Sequence, residues 1–111
     1  MNKLFSNTDL AEKTKKFKKE GKTVALLHGV FDILHVGHIS YFEDVKKDSD
    51  ILIISITNDE FVGKGPGRPM FKIDERVKML SKIDIIDFIA ISKSETAVDI
   101  IRTIKPNIYA K

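Results

Sequence analysis

Two histidines, three residues apart, are the part of this sequence best suited to chemistry. They lie in the stretch His28-Gly29-Val30-Phe31-Asp32-Ile33-Leu34-His35-Val36-Gly37-His38. At that spacing the imidazoles of His35 and His38 fall on one side of an opening helical turn. A helix start offers unpaired backbone N–H groups and the positive end of the helix dipole, which favour phosphate. Imidazole titrates near neutral pH, so the pair can meet charge that develops on a phosphoryl group.

Gly37 lies between the two histidines, and the lack of a side chain there would let a phosphate approach closely. A zinc site is the alternative chemistry for such a pair. Zinc needs three or four His, Cys or carboxylate ligands, whereas the chain has 3 histidines and no cysteine. We therefore predict no metal site built from protein side chains alone. His28, at a predicted strand end, is left open between packing and ligand binding.

The elements around this pair are predicted to alternate between strands and helices. Apolar runs of buried-strand type cover residues 23–28, 51–56, 86–91 and 108–110. Apolar residues at helical spacing predict helices over 7–20, 36–47, 74–81 and 96–105, the third capped by Asp74. The alternation indicates an α/β, Rossmann-like doubly wound parallel sheet of about four strands with flanking helices. Ligands of such sheets bind at the carboxyl ends of the strands.

Residues 58–71 are predicted to form a mobile loop because they contain the cluster Gly63, Gly65, Pro66, Gly67 and Pro69. This cluster is not a P-loop, since no Gly-Lys-Ser/Thr opens a helix there. It is not the dinucleotide fingerprint either, since it does not join the first strand to the following helix.

The composition is that of one ordinary globular domain, with 111 residues, 42% hydrophobic and 32% charged. The absence of cysteine excludes disulfides and thiolate metal sites. No stretch has the length and apolar character of a membrane span or the pattern of a signal peptide. We therefore expect a cytoplasmic domain with neither nucleic acid nor a membrane as partner. The net charge of +3 suits anionic ligands. The lysine-rich residues 13–22 are interpreted as a solvated helix face, with nucleic acid or an acidic membrane as alternatives.

The stretch Gly29–His38 resembles the His-x-Gly-His signature of the cytidylyltransferase-like nucleotidyltransferases. Further matches follow in order at residues 57–61, 64–69, 75–76 and 105–111. Within this superfamily the chain is similar above all to the heptose-1-phosphate adenylyltransferase domain of ADP-heptose synthase, and next to glycerol-3-phosphate cytidylyltransferase. The family pattern continues beyond Lys111. The resemblance thus implies a single nucleotidyltransferase domain over 1–111 that is incomplete at its C-terminal end, in a family whose members are sometimes fused to a sugar kinase.

The resemblance implies an enzyme that transfers AMP or CMP from a nucleoside triphosphate to a phosphorylated acceptor and releases pyrophosphate. The implied acceptor is a sugar 1-phosphate such as a heptose phosphate, the implied cofactor is Mg²⁺, and a homodimer is common in the family. Two alternatives are glycerol 3-phosphate as the acceptor and a nucleotide-binding domain without turnover.

The resemblance also implies roles for single residues. His35, His38 and Lys64 would be catalytic, with the histidines holding the triphosphate and Lys64 closing over it. The implied nucleotide-binding residues are Gly29, Val30, Phe31, Asp32, His35, Gly37, His38 and Arg76. For Lys64 the alternative is an ordinary solvated loop lysine.

Two of these assignments have specific structural alternatives. Asp32 would orient the site or help to place Mg²⁺, but a carboxylate before a helix can instead cap it. Arg76 would add positive charge at the nucleotide, but it can instead form a surface ion pair with Asp74 or Glu75.

Overall fold

The computed structural model describes residues 2–62 and 69–110. The helices are α1 (Asn7–Lys19), α2 (Val36–Lys47), α3 (Ile73–Ser81) and α4 (Val98–Ile104). The strands are β1 (Val24–Gly29), β2 (Ile51–Thr57), β3 (Phe88–Ser92) and β4 (Ile108–Ala110). All strand pairs are parallel, and the order across the sheet is β3-β2-β1-β4. The predicted Rossmann-like parallel sheet is thereby confirmed.

The sheet has a hydrophobic core on each face because successive strand residues point to opposite sides. In β1, Ala25 and Leu27 join the core formed with α2 and α3, whereas Val24 and Leu26 join the core formed with α1 and α4. All four are at most 1% exposed. Burying each large aliphatic side chain contributes about 1.5–3 kcal/mol. Helices on both faces confirm the doubly wound arrangement.

Side chains fix the amino ends of the two central strands. The Asn107 carboxamide oxygen accepts the Val24 N–H at 2.8 Å. The Asp87 carboxylate accepts the Leu52 N–H at 2.8 Å. The backbone groups that begin β1 and β2 are thus satisfied within the protein, and the opposite, carboxyl edge of the sheet carries the loop with the two histidines.

Residues 2–5 cover the outer edge of β3. Leu4 forms a parallel bridge with Ile89, and the Phe5 N–H donates to the Ile89 carbonyl at 3.1 Å. This pairing shields a sheet edge that would otherwise expose unpaired backbone groups. The Lys13 ammonium lies 4.7 Å from the centre of the Phe5 ring. The exposed lysines of α1 form the solvated face expected from the sequence, at positions 15, 16, 18 and 19.

Several element boundaries differ from the sequence prediction. Helix α3 begins at Ile73 after the extended Lys72, so Asp74 lies inside the first turn and is not the cap. A turn closed by the Ile86 N–H on the Ile83 carbonyl delays β3 to Phe88. Helix α4 stops at Ile104 because Lys105 adopts a left-handed φ of 56° before Pro106, where the helical conformation is disfavoured.

Two further features complete the fold. The predicted loop over 58–71 begins with a short 3-10 helix, Asp59–Phe61, in which the Asn58 side chain accepts the Asp59 N–H at 2.9 Å. Within residues 2–62 and 69–110, no helix has both the length and the apolar character needed to cross a bilayer.

Candidate active site

The two histidines cap the start of helix α2. The Nδ1 atom of His35, the N-cap residue, accepts the Gly37 N–H at 3.0 Å. In return, Nδ1 of His38 accepts the His35 N–H at 3.2 Å. This is the geometry of a capping box, with imidazoles in the places usually held by Ser or Thr and by Glu. The expectation that the pair shares one side of the opening turn is met, with ring centroids 4.2 Å apart.

These caps select the tautomer of both rings. A neutral imidazole has one nitrogen that donates and one that accepts. Because Nδ1 accepts a backbone N–H in both His35 and His38, the proton of each neutral ring is on Nε2. The start of α2 therefore carries two adjacent Nε2–H donors, held in place by the backbone of the same helical turn.

Burial lowers the pKa of His38 below its ordinary value of 6.5, and the nearby His35 lowers it further. The burial comes from aromatic neighbours, since the ring centroid of His38 is 5.7 Å from that of Phe31 and 6.4 Å from that of Phe42. The lowered pKa favours the neutral form of His38 in the ligand-free chain. A phosphate beside the ring would favour the protonated form and oppose this shift.

Gly37 makes room for a histidine. A Cβ atom at this position would lie 2.7 Å from Cε1 and 3.0 Å from Nδ1 of His35. The His35 ring occupies the space where a side chain at Gly37 would lie, and the phosphate contact expected at Gly37 stays a prediction. The missing side chain permits the ring to lie over the turn that it caps.

The loop before α2 buries an aromatic side chain. Phe31 has a left-handed φ of 52°, is 8% exposed, and lies with its ring centroid 5.6 Å from that of Phe42. A Cβ atom on Gly29 would lie 2.7 Å from Cζ of Phe31, so Gly29 accommodates this ring. Because the Phe31 ring is buried and Gly29 has no side chain, the nucleotide contact predicted for these two residues would involve their backbone atoms.

The Asp32 carboxylate fixes a distant segment of backbone. Its Oδ2 accepts the Met70 N–H and its Oδ1 the Phe71 N–H, both at 2.8 Å. Capping of α2 by Asp32, the alternative considered above, is wrong because His35 is the N-cap. Asp32 instead attaches the end of the 58–71 segment to the histidine loop.

Arg76 lies beneath the site and is 0% exposed. Its Nη1 donates to the carbonyls of Val30 at 2.9 Å and Thr57 at 2.7 Å, and its Nε donates to the Phe71 carbonyl at 3.0 Å. Its Nη2 forms an ion pair with Asp59. Four donors of the guanidinium thus join the ends of β1 and β2 to the segment before α3.

This placement changes the interpretation of Arg76. The surface pair with Asp74 or Glu75 is wrong, since the partner is Asp59 and the arginine is buried. The four hydrogen bonds described above serve protein acceptors, so its predicted contact with the nucleotide has no counterpart among them. Helical spacing carried the missed signal, because Arg76 lies four residues before the buried Leu80 and so shares its inward face.

His28 lies one strand position before Gly29 and is half-buried. Its Nδ1 is 2.7 Å from the Ser55 hydroxyl, and its Nε2 is 3.4 Å from the Thr57 hydroxyl. Both hydroxyls belong to the adjacent strand β2. The structure therefore places His28 in a polar contact between the two central strands, a role that the sequence left open.

Two predicted features bear on cation chemistry at the site. Lys64 lies outside the described residues. In the part of the chain that the structure describes, no three His, Asp or Glu side chains converge as a metal-binding group. Asp32, the residue proposed to help place Mg²⁺, already uses both carboxylate oxygens for backbone amides.

Comparisons with known proteins agree on one family. The cytidylyltransferase-like family matches residues 26–111. The bifunctional protein HldE of Campylobacter fetus is 39% identical over 95 residues, covering 84% of this chain and 21% of that protein. The HldE protein of Desulfatibacillum aliphaticivorans is 35% identical over 111 residues, covering 98% and 23%. The chain spans about a fifth of the length of these curated relatives.

A solved structure has the same fold. The crystal structure of the lipopolysaccharide core biosynthesis protein from Thermoplasma volcanium superimposes with a TM-score of 0.71 at 29% identity, covering 80% of this chain and 73% of that one. The family match begins within β1 and includes the histidine turn and every later element of the fold. The chain belongs to the cytidylyltransferase-like family.

Proposed function

We propose that this chain is a nucleotidyltransferase domain, which moves a nucleoside monophosphate from a nucleoside triphosphate to a phosphorylated acceptor. The observation that carries the proposal is the reciprocal cap of His35 and His38. It presents two oriented Nε2–H donors at the N-terminus of α2, where the helix dipole also favours anions.

In this reaction a phosphate oxygen of the acceptor attacks the α-phosphorus and forms a new P–O bond. The bond from that phosphorus to the oxygen bridging to the β-phosphate breaks, and pyrophosphate leaves with the electron pair. The attacking oxygen is ionised at neutral pH, so no general base is required. Catalysis then consists of positioning and charge stabilisation.

The histidines are suited to the charge that grows on the leaving phosphates. Their Nε2–H groups donate hydrogen bonds without first having to reorient, because the caps already fix both rings. Negative charge close to His38 raises its pKa from the lowered value of the ligand-free site. The ring would thus become more cationic as the triphosphate binds.

Arg76 and Asp32 act as positioning residues in this proposal. Arg76 holds the Val30 and Thr57 carbonyls together at the carboxyl ends of β1 and β2. Asp32 holds the backbone at residues 70–71 beside the histidine turn. Neither needs to contact the nucleotide, since both fix the loops that frame it.

Mg²⁺ and Lys64 belong to the proposal in limited ways. Mg²⁺ commonly enters such sites bound to substrate phosphates with few protein ligands, and it would supply charge neutralisation there. Asp32 would help to place the ion, because a carboxylate oxygen that accepts one backbone N–H keeps another lone pair. Lys64 would add positive charge over the phosphates.

For the acceptor we propose a sugar 1-phosphate such as a heptose phosphate. Support comes from the likeness to bifunctional HldE proteins and to a lipopolysaccharide core biosynthesis protein. Because the chain spans about a fifth of those HldE relatives, we also propose that the domain works beside a second domain, of sugar-kinase type.

The test measures pyrophosphate release with ATP or CTP, each paired with heptose 1-phosphate or glycerol 3-phosphate. We expect turnover with ATP and the heptose phosphate, and a loss of about 10²–10³-fold in His38→Asn. The Asn oxygen can still accept the His35 N–H, so the cap survives while the Nε2–H donor is lost. Ser40→Ala, on the exposed face of the same helix, is the matched control.

Nucleotide binding is followed separately by NMR of the histidine rings. A domain that binds without turnover would show shifts of His35 and His38 but no pyrophosphate. The proposal is contradicted if no pair of substrates yields pyrophosphate, or if turnover is unchanged in His38→Asn.

A further inference from the structure

A basic cavity lies between helices α1 and α4. It has a volume of about 310 Å³ and is lined by Glu12, Thr14, Lys15, Lys18, Thr103 and Lys105, among others. Helices α1 and α4 pack on the face of the sheet opposite to α2, which carries the histidine pair. The cavity is therefore separate from the candidate active site.

The charges on the cavity wall are not balanced. Lys15, Lys18 and Lys105 contribute three positive charges, against one negative charge from Glu12. In the described residues none of these three lysines has a carboxylate within ion-pair distance. Like charges that line one cavity repel one another, and a bound anion would relieve that repulsion.

A buried hydroxyl on the same wall also lacks a partner. Thr14 is 1% exposed, and its Oγ1 is the buried side-chain atom without a hydrogen bond among the residues that the structure describes. Buried polar atoms nearly always have a partner, so an exception calls for an explanation. Since this oxygen has almost no accessible surface, a ligand in the cavity would reach it only by displacing the side chains around it.

Ordinary structural roles account for only part of this arrangement. Lys18 is in the last turn of α1 and Lys105 caps α4, so both interact favourably with the negative ends of helix dipoles. Lys15 belongs to the solvated face of α1, but these roles do not explain why three lysines meet at one cavity. An anion held between Lys15, Lys18 and Lys105 would balance the positive charge of the wall.

We infer that this cavity binds a small phosphate-bearing anion. A phosphate group offers several acceptor oxygens and up to two negative charges, which match a net wall charge of two. The cavity is large enough for the phosphate together with a small organic group. The inference is independent of the proposed transferase activity, because it uses none of the residues of the histidine site.

The experiment titrates the full chain with inorganic pyrophosphate and follows backbone amides by NMR. Binding in the cavity is read from Thr14, Thr103 and Lys105, and binding at the active site from His35 and His38. The double variant Lys15→Gln/Lys18→Gln is compared with Lys16→Gln/Lys19→Gln. The latter removes the same charge from exposed positions of α1 that do not line the cavity.

We expect saturable shifts at Thr14 and Lys105 that persist in a His35→Asn/His38→Asn variant. Affinity at the cavity should fall by about tenfold in Lys15→Gln/Lys18→Gln and by less than about twofold in the exposed pair, since an electrostatic contact weakens steeply with distance and screening.

Vesicles of phosphatidylglycerol form a second arm of the experiment. Shifts with vesicles alone, lost in Lys15→Gln/Lys18→Gln, would support the site and identify a lipid headgroup as the source of the phosphate. Equal weakening in both lysine pairs would overturn the inference, as would the absence of shifts at Thr14 and Lys105 with either probe. Loss of the histidine shifts alone would count against the proposed function and leave the cavity intact.

Discussion

Arg76 and Asp59 form an ion pair at the carboxyl edge of the sheet, in which the arginine is 0% exposed and the aspartate 33%. The same aspartate accepts the Ile73 N–H at 3.3 Å, at the first residue of α3. The pair therefore connects the segment after β2 to the helix that begins beyond the 58–71 segment. We therefore expect this pair to help hold the loops around the histidines in place.

Replacing Arg76 with Met should destabilise the protein by about 3–5 kcal/mol, the usual cost of removing one partner of a buried ion pair. The Val30, Thr57 and Phe71 carbonyls would lose their donors as well. Urea unfolding measures the effect. Arg102→Met, at an exposed position of α4, is the control and should stay within about 0.5 kcal/mol. A change in Arg76→Met as small as in the control would contradict the structural role.

His38 should make the stability of the chain depend on pH. Its pKa in the folded chain is below 6.5, so as pH falls the unfolded chain takes up this proton first. The contribution of His38 is therefore complete above about pH 6.5 and is lost as pH falls from there towards the folded pKa.

The free energy of unfolding, measured between about pH 5 and 8, checks this dependence. In His38→Asn the decline below about pH 6.5 should be shallower than in the unmodified chain. Superimposable curves for the two proteins would show that His38 titrates alike in the folded and unfolded states.

Gly37→Ala should separate stability from function. The new Cβ would lie 2.7 Å from Cε1 of His35, so the ring must move and the cap must weaken. Losing a cap costs about 1 kcal/mol, and Ala gains up to about 1 kcal/mol over Gly within a helix. We therefore expect little change in stability.

Nucleotidyl transfer by Gly37→Ala should nevertheless fall by about 10²-fold, because a displacement of about 1 Å suffices for such a loss. Thermal unfolding and pyrophosphate release are measured on the same preparation. Full activity with a displaced His35 ring would argue against a role for that ring.

Thr14→Val should stabilise the chain by about 1 kcal/mol. The substitution keeps the side-chain shape and removes a buried hydroxyl that has no partner in the described residues. Thr103→Val is the matched control on α4, where the hydroxyl donates to the Asp99 carbonyl at 2.9 Å and its loss should bring no gain. Urea unfolding compares the two variants. A destabilised Thr14→Val would mean that the hydroxyl is satisfied in solution.

The order of elements followed from local patterns. Apolar runs predicted the four strands, and helical spacing predicted the four helices, because each pattern reflects which faces must be buried. Boundaries were less accurate where a neighbouring residue decided them, as with the left-handed Lys105 before Pro106.

The histidine pair shows how much of the site can be predicted from the sequence. The spacing of His35 and His38 was enough to predict a shared side of one helical turn, since that depends on local geometry alone. The reciprocal caps, and with them the Nε2–H tautomers, depended on ring rotations that sequence does not specify.

Arg76 and Asp32 show what only the tertiary structure decided. Their partners lie far away along the chain, 46 residues in the case of Arg76 and Val30 and 39 in the case of Asp32 and Phe71. Sequence determined the kinds of groups available and the local turns that carry them. The packing of strands and loops decided which charged groups are open to a ligand and which are buried against carbonyls or amides. Burial and hydrogen-bond partners arise only when distant segments come together.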